Sequence, residues 1–278
     1  MTLLVKLART ALPSLVVALA IGACEGADPT EPIGTAESIV AIKSVPVAPA
    51  FASAFRGGIP FGMFHLPKEE YGATFNGSLA NISPSLLIGY LETARRTGAK
   101  VILTLSGNQE NFKNSNRTFS LTKWKERVNR YRGLNISSYI NDGTIVGHYL
   151  IDEPHDPGNW GGEAMPLSAI DAMGEYSKEL WPSLPTVAGA WPSYLKSYKF
   201  KYLDAAWAQY SERKGPIGAF IQENVRDAKA AGLALVVGLN QMAGGSSKGL
   251  KGYYDGKYAM AADELESWGS ALLAEPYA

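Results

Sequence analysis

The feature that most constrains this chain is an alternation that begins at Gly58. Short runs that are apolar on both faces recur at 59–66 ("IPFGMFHL"), 99–107 ("AKVILTLSG"), 144–153 ("TIVGHYLIDE"), 185–191, 202–210 and 233–241. Between them lie segments with helical spacing at 83–98, 120–142, 166–181 and 217–232, and a further one at 261–275. The first has Ser83 as N-cap, Pro84 in its first turn and Gly98 at its end, the residues that start and stop helices. Strands buried on both faces and separated by amphipathic helices are the pattern of parallel β/α units. The expected fold class is therefore α/β, a (β/α) barrel of TIM type, at roughly 35 to 40 residues per unit. A doubly wound open sheet competes, but no GxGxxG follows the first strand, as a dinucleotide-binding sheet would usually carry. The chain stops at "LLAEPYA" where another strand is due. Either the barrel is incomplete at its C-terminus or the sequence lacks its last strand or two.

Composition bounds the function. With 46% hydrophobic and 19% charged residues there is enough apolar material for one large core. The 26 basic and 26 acidic side chains cancel, and no run of Lys or Arg exceeds two, so a nucleic-acid partner is not expected. The N-terminal stretch, 1–23, carries Lys6 and Arg9 ahead of an apolar run and small residues, the layout of a signal peptide and too short to span a membrane comfortably. Its end, "IGAC", resembles the bacterial lipobox, which implies a lipid anchor on Cys24 and a location facing the periplasm or the cell exterior. Ordinary cleavage after Ala23, leaving a free thiol, is the alternative. Cys24 is the only cysteine, so no intramolecular disulfide can form. Residues 24–57 read as a Pro/Ala/Ser/Thr-rich tether, with 58–278 as the barrel domain.

In such a barrel the loops after the strands converge on one mouth. The strand ends carry His65, then Ser106 with Asn108, Asp152 with Glu153, Trp191, Gln209 with Tyr210, and Asn240 with Gln241. Simple alternation along 145–153 puts Gly147, Tyr149, Ile151 and Glu153 on one face, and His148, Leu150 and Asp152 on the other. On that reading Glu153 stands in the mouth while Asp152 braces the rim from outside. A carboxyl group at a partly desolvated mouth has a raised pKa, which suits a general acid. The other reading of Glu153 is a rim carboxylate that caps a loop or pairs with a lysine. Trp160, Trp191, Trp207 and Tyr210 are candidates for stacking on sugar rings. Asn108, Gln209, Asn240 and Gln241 are candidates for binding hydroxyls, as is His65, which could equally be a core histidine. His148, Asp152, Glu153, His155 and Asp156 are ligand types, but no HxH or HExxH spacing joins them, so no metal and no cofactor is expected. The glycine-rich stretch 243–252 lacks the order of a phosphate loop and reads as a rim loop.

A strand ending in Asp152-Glu153-Pro154 inside a β/α barrel, with tryptophans around the mouth, resembles the barrel glycoside hydrolases, which often carry Asn-Glu-Pro at the acid/base position. The resemblance covers the chain from about Gly58 in organisation and one tripeptide in detail. It implies a carbohydrate substrate and Glu153 as the acid/base. It also implies a second carboxylate about three strands later, where this chain has Asn240-Gln241. Glu110, Glu212 and Asp255 are the acidic residues in nearby loops. Two readings follow: an exported, lipid-anchored glycoside hydrolase, or a non-catalytic surface lipoprotein that binds glycan or protein through the same mouth. The sequence does not indicate an oligomeric state.

Overall fold

The computed structural model describes residues 59–72, 74–242, 249–254 and 256–278. The chain divides into residues 1–43 and 44–278, and every element below belongs to the second unit. The signal-peptide segment, Cys24, the tether and Asp255 lie outside the described residues, as does most of the glycine-rich loop.

Seven strands form one sheet: β1 (Gly62–Phe64), β2 (Gly77–Ala80), β3 (Lys100–Leu103), β4 (Ile145–Asp152), β5 (Thr186–Gly189), β6 (Ala205–Tyr210) and β7 (Ala234–Leu239). Each pairs in parallel with the next in chain order. A doubly wound sheet reverses its order at a switch point, and this one never does. The fold is thus α/β, a parallel sheet wound in the sense of a (β/α) barrel.

The sheet curls. Leu79 of β2, Ile102 of β3, Tyr149 of β4, Val187 of β5, Ala205 and Trp207 of β6, and Ala234 and Val236 of β7 share one apolar cluster on the concave side. The rings of Phe64 on β1 and Trp207 on β6 lie 5.2 Å apart across it. Among the described residues β1 and β7 are the two edges, so these seven strands make a partial barrel.

The convex side is covered by α1 (Pro84–Thr97), α2 (Leu121–Asn129), α3 (Ser137–Asn141), α4 (Leu167–Leu180), α5 (Pro192–Leu195), α6 (Ile217–Ala231) and α7 (Ala262–Leu273). Among the described residues no helix is long and apolar enough to cross a membrane. α1 starts at Pro84 and stops at Gly98, whose φ of 74° lets its N–H reach back to Ala94 and Arg95. The segment 120–142 divides into two helices, α2 and α3.

Two features were not expected from the sequence. β2 is a strand with the sequence "GSLA", fully buried between β1 and β3. Gly77 and Ser78 have little strand propensity, and pairing with β1 and β3 on both edges makes the segment a strand. A short antiparallel hairpin, β8 (Gly252–Tyr254) and β9 (Lys257–Ala259), also intervenes between β7 and α7.

On the convex face of β4, His148 is wholly buried, stacked on Trp124 and edge-on to Trp181, with Nδ1 bonded to Ser177 Oγ at 2.8 Å. Nε2 is buried and has no partner among the described residues. Burial pushes the imidazole pKa down to about 3 from the ordinary 6.5. A depressed folded-state pKa contributes stability that is complete above pH 6.5 and is lost as pH falls from there toward 3. Acidification to pH 4.5 is expected to cost roughly 2–3 kcal/mol through this residue. In urea unfolding at pH 7 and pH 4.5, His148→Gln should be less stable at pH 7 yet lose less on acidification. Equal losses in both proteins would remove His148 as the acid-sensitive group.

Candidate functional site

The mouth is organised by an irregularity in β4. His148 and Tyr149 pair with Thr186 and Val187, but the next partners of Ala188 and Gly189 are Ile151 and Asp152, so one residue, Leu150, is skipped. Leu150 and Ile151 both join the cluster under the helices. The phase of the strand therefore changes, and Asp152 falls on the same concave side as Tyr149. This corrects the alternation drawn from sequence: Ile151 points outward, and Asp152, taken as an outer brace, is the carboxylate that follows Tyr149 into the mouth.

Tyr149 Oη donates to Asp152 Oδ1 at 2.7 Å. Burial first, then the charge of Asp152, hold the phenol pKa well above its usual 10, so it stays a donor. The pair fits only because residue 189 has no side chain. A Cβ on Gly189 would lie 1.8 Å from Tyr149 Oη and 2.9 Å from Asp152 Oδ1.

Glu153 is exposed at the rim and has a φ of 43°, a left-handed conformation that a glutamate rarely adopts. Its backbone is pinned: the N–H donates to Gly189 O at 2.9 Å, and the carbonyl accepts from Trp160 Nε1 at 2.9 Å and from Asp156 N at 3.1 Å. Its carboxylate accepts from Asn159 Nδ2 at 3.1 Å. Desolvation, then the neighbouring Asp152 charge, raise the Glu153 pKa; the Asn159 bond opposes this, and Asp156 adds to it. His65, at the end of β1, is a second non-glycine residue with positive φ, 54°, and it too stands exposed on the rim. Strained backbone of this kind collects at functional sites.

The aromatic candidates separate. Trp160 is 2% exposed, stacked against Phe112 and edge-on to Phe119, with Lys113 Nζ 5.1 Å from its ring centre. Its face is covered, so it holds the Glu153 backbone and does not offer a sugar platform. Tyr210 is also buried, edge-on to Phe220 and Trp268, with its hydroxyl on Gly215 O; it too is a core residue. Trp207 is half-buried on the concave side, 5.4 Å from the Tyr149 ring, and forms the floor of the mouth. Trp191, half-buried at the start of α5, meets His155 and Phe220 edge-on and has Lys214 Nζ 4.2 Å from its ring centre. With Ser193, Lys214 and Glu223 it lines a cavity of about 220 Å³.

Gln209 has the parity of Ala205 and Trp207, in register with Gly238. Asn240 continues that alternation on β7, its N–H on Tyr210 O, and the Gln241 carbonyl accepts from Met260 N. Asn108 caps the turn at Gln109–Phe112 through its own side chain, which accepts from Glu110 N. Glu110 pairs with Lys113 at 2.5 Å and Arg117 at 3.6 Å, away from any free role. Glu212 opens the short turn after β6. Among the described residues no three His, Cys, Asp or Glu side chains come together to hold a metal.

Three contacts were not read from the sequence: the hydroxyl of Tyr149, a residue placed on the inward face; the Asn159 amide; and the ring of His155, weighed only as a metal ligand, against Trp191 and Tyr194. Only the Asn159 spacing, six residues after Glu153 in a Pro/Gly turn, left a signal.

No protein-family model and no curated protein matches the chain. Solved structures give distant likenesses. A glycoside hydrolase family 5 mannosidase from Rhizomucor miehei is 12% identical, with a TM-score of 0.40 over 59% of each chain. The endo-β-1,4-mannanase of Thermotoga petrophila is 14% identical, at 0.42 over 57% of this chain and 46% of its own. An intracellular xylanase from Thermoanaerobacterium saccharolyticum is 13% identical, at 0.46 over 71% of this chain and 78% of its own. The chain thus spans about three fifths or less of the mannosidase and the mannanase. It is the sequential, all-parallel strand order that defines the fold.

A raised folded-state pKa means that Glu153 contributes to stability only when protonated, and that this is lost as pH rises through the raised value. Glu153→Gln is therefore expected to raise Tm at pH 7, with the gain shrinking to nothing below about pH 4. A gain that persists unchanged in acid, measured by thermal unfolding, would show that the carboxyl is not held in a protonation-favouring setting.

Proposed function

We propose that this chain hydrolyses glycosidic bonds of an oligo- or polysaccharide, with Glu153 as general acid/base and Asp152 as its partner carboxylate. The observation that carries the reading is a carboxyl with a raised pKa, on pinned left-handed backbone, beside a second carboxylate at the end of a central strand. Desolvation and then the charge of Asp152 raise the Glu153 pKa, which suits Glu153 to donate a proton. In the step envisaged, the glycosidic C–O bond breaks with its electron pair passing to the leaving oxygen, which takes the Glu153 proton. The Asp152 carboxylate faces the positive charge that develops on the sugar carbon; a water molecule then bonds to that carbon and gives its proton to the Glu153 carboxylate, which restores the acid and releases the sugar. Asn159 orients the Glu153 carboxyl, while Trp207, with Trp191 to one side, supplies the apolar faces that sugar rings pack on.

The second reading, a glycan-binding module without turnover, is favoured by one observation: β7 leads into Asn240 and Gln241, not a carboxylate. Reducing-end assays on mannan, xylan, β-glucan and aryl glycosides separate the two. Glu153→Gln and Asp152→Asn are each expected to lower turnover by about a hundredfold or more with binding retained. Binding by the unaltered protein with no turnover on any substrate would favour the module.

Export and lipid anchoring belong to the same proposal and rest on Lys6, Arg9 and the "IGAC" that ends at Cys24. Labelled palmitate should be incorporated by the full chain and not by Cys24→Ser; equal labelling of both would exclude a lipid on this cysteine.

A further inference from the structure

Beyond the ends of β2 and β3, at the same end of the sheet as the carboxylate pair, the rim carries positive charge that no carboxylate of the described residues pairs with. Arg127 Nη2, Arg130 Nη2 and Asn81 Nδ2 lie 3.2, 3.7 and 3.8 Å from the position a Cβ on Gly107 would take. Three nitrogen donors therefore converge on one small region, and it stays open because residue 107 is glycine with a φ of 76°. The arrangement is built: Arg127 Nε donates to Ser106 O at 3.2 Å, and Arg130 Nε donates to Arg127 O at 2.9 Å. Tyr131 Oη, on the next residue, anchors the end of α2 to Ile82 O at 2.7 Å. These bonds use the Nε atoms, and among the described residues the converging Nη2 atoms have no acceptor.

Among the described residues Arg95 pairs with Asp142 at 2.6 Å, Arg117 with Glu110 and Arg226 with Asp227, while Arg96 and Arg132 stand apart from any carboxylate. Among the described residues neither Arg127 nor Arg130 forms an ion pair. Burial and then the like charge of Arg130 lower the Arg127 pKa, as expected where no carboxylate offsets two adjacent cations. Holding two guanidinium groups together costs repulsion, which an anion between them would remove. The location is informative as well. Asn81 directly follows β2 and Gly107 lies just beyond β3, at the same end of the sheet as Asp152 and Glu153 on the adjoining β4.

We propose that Arg127, Arg130 and Asn81 form a subsite for an oxyanion carried on a sugar ring, so that the substrate is an acidic glycan. A ring carboxylate and a sulfate ester share the required chemistry, two or three oxygens accepting from forked donors. The proposal rests on the carbohydrate reading above and narrows it.

The test is binding of the full-length Glu153→Gln protein, followed by calorimetry, to three probes: oligogalacturonate, a chondroitin sulfate oligosaccharide and a neutral manno-oligosaccharide. At least one acidic probe is expected to bind about tenfold or more tighter than the neutral one, and to weaken as salt is raised. Preference for the first or the second acidic probe tells carboxylate from sulfate. Adding Arg127→Gln should abolish that preference while leaving the neutral probe unaffected. Arg127 also holds Ser106 O, so Arg130→Gln, on an exposed side chain whose loss spares that bond, serves as the second variant and should reduce the preference severalfold. Neutral binding with no acidic preference, or a preference that survives both substitutions, overturns the subsite while leaving the carbohydrate reading intact. No binding of any probe would remove both.

Discussion

Along β4 the backbone skips one residue at Leu150, and the groups at the mouth are arranged by that skip. Without it Tyr149 and Asp152 would face opposite ways; with it the phenol reaches the carboxylate at 2.7 Å. The bulge also delivers Glu153 to the point where the strand ends, with its N–H on Gly189 O and its carbonyl under the Trp160 indole. A left-handed glutamate costs on the order of 1 kcal/mol or more, and it persists only where surrounding contacts over-determine it. Here the surrounding contacts come from β5 on one side and from the packed Phe112–Trp160 layer on the other.

Two aromatic layers thus serve different ends. On the convex side Trp124, Trp160 and Trp181 are buried, each against helices or the long β3–α2 connection, and they support β4 from behind. On the concave side Trp207 and Phe64 close the floor with Tyr149. Tryptophan is suited to both tasks, since its large face packs and its N–H can hold a carbonyl. Which task a given tryptophan takes depends on which side of the sheet it falls.

Much of the fold was legible. The six long apolar runs contain strands, and α1, α4, α6 and α7 fall within the segments 83–98, 166–181, 217–232 and 261–275 that have helical spacing, because hydrophobic periodicity is a local signal. β2 was not legible: "GSLA" is strand only because β1 and β3 bond it on both edges. At the site, the sequence singled out Asp152-Glu153, Trp191, Trp207 and Gln209 as candidates, and the structure leaves the Trp191 and Trp207 rings partly open. It misjudged Trp160 and Tyr210, whose rings are covered by residues far away in the chain. It also reversed the faces of Asp152 and Ile151, since period-two alternation assumes a strand without a bulge.

By itself, then, the order of residues determined the parallel β/α plan, the helix ends, and the presence of adjacent carboxylates where a long strand meets a Pro/Gly turn. These follow from interactions spanning a few positions. Tertiary structure alone decided which carboxylate turns inward, which indoles are covered, and that Arg127 and Arg130 meet Asn81 over Gly107. Those outcomes depend on register between neighbouring strands and on contacts between distant segments, which no local pattern encodes.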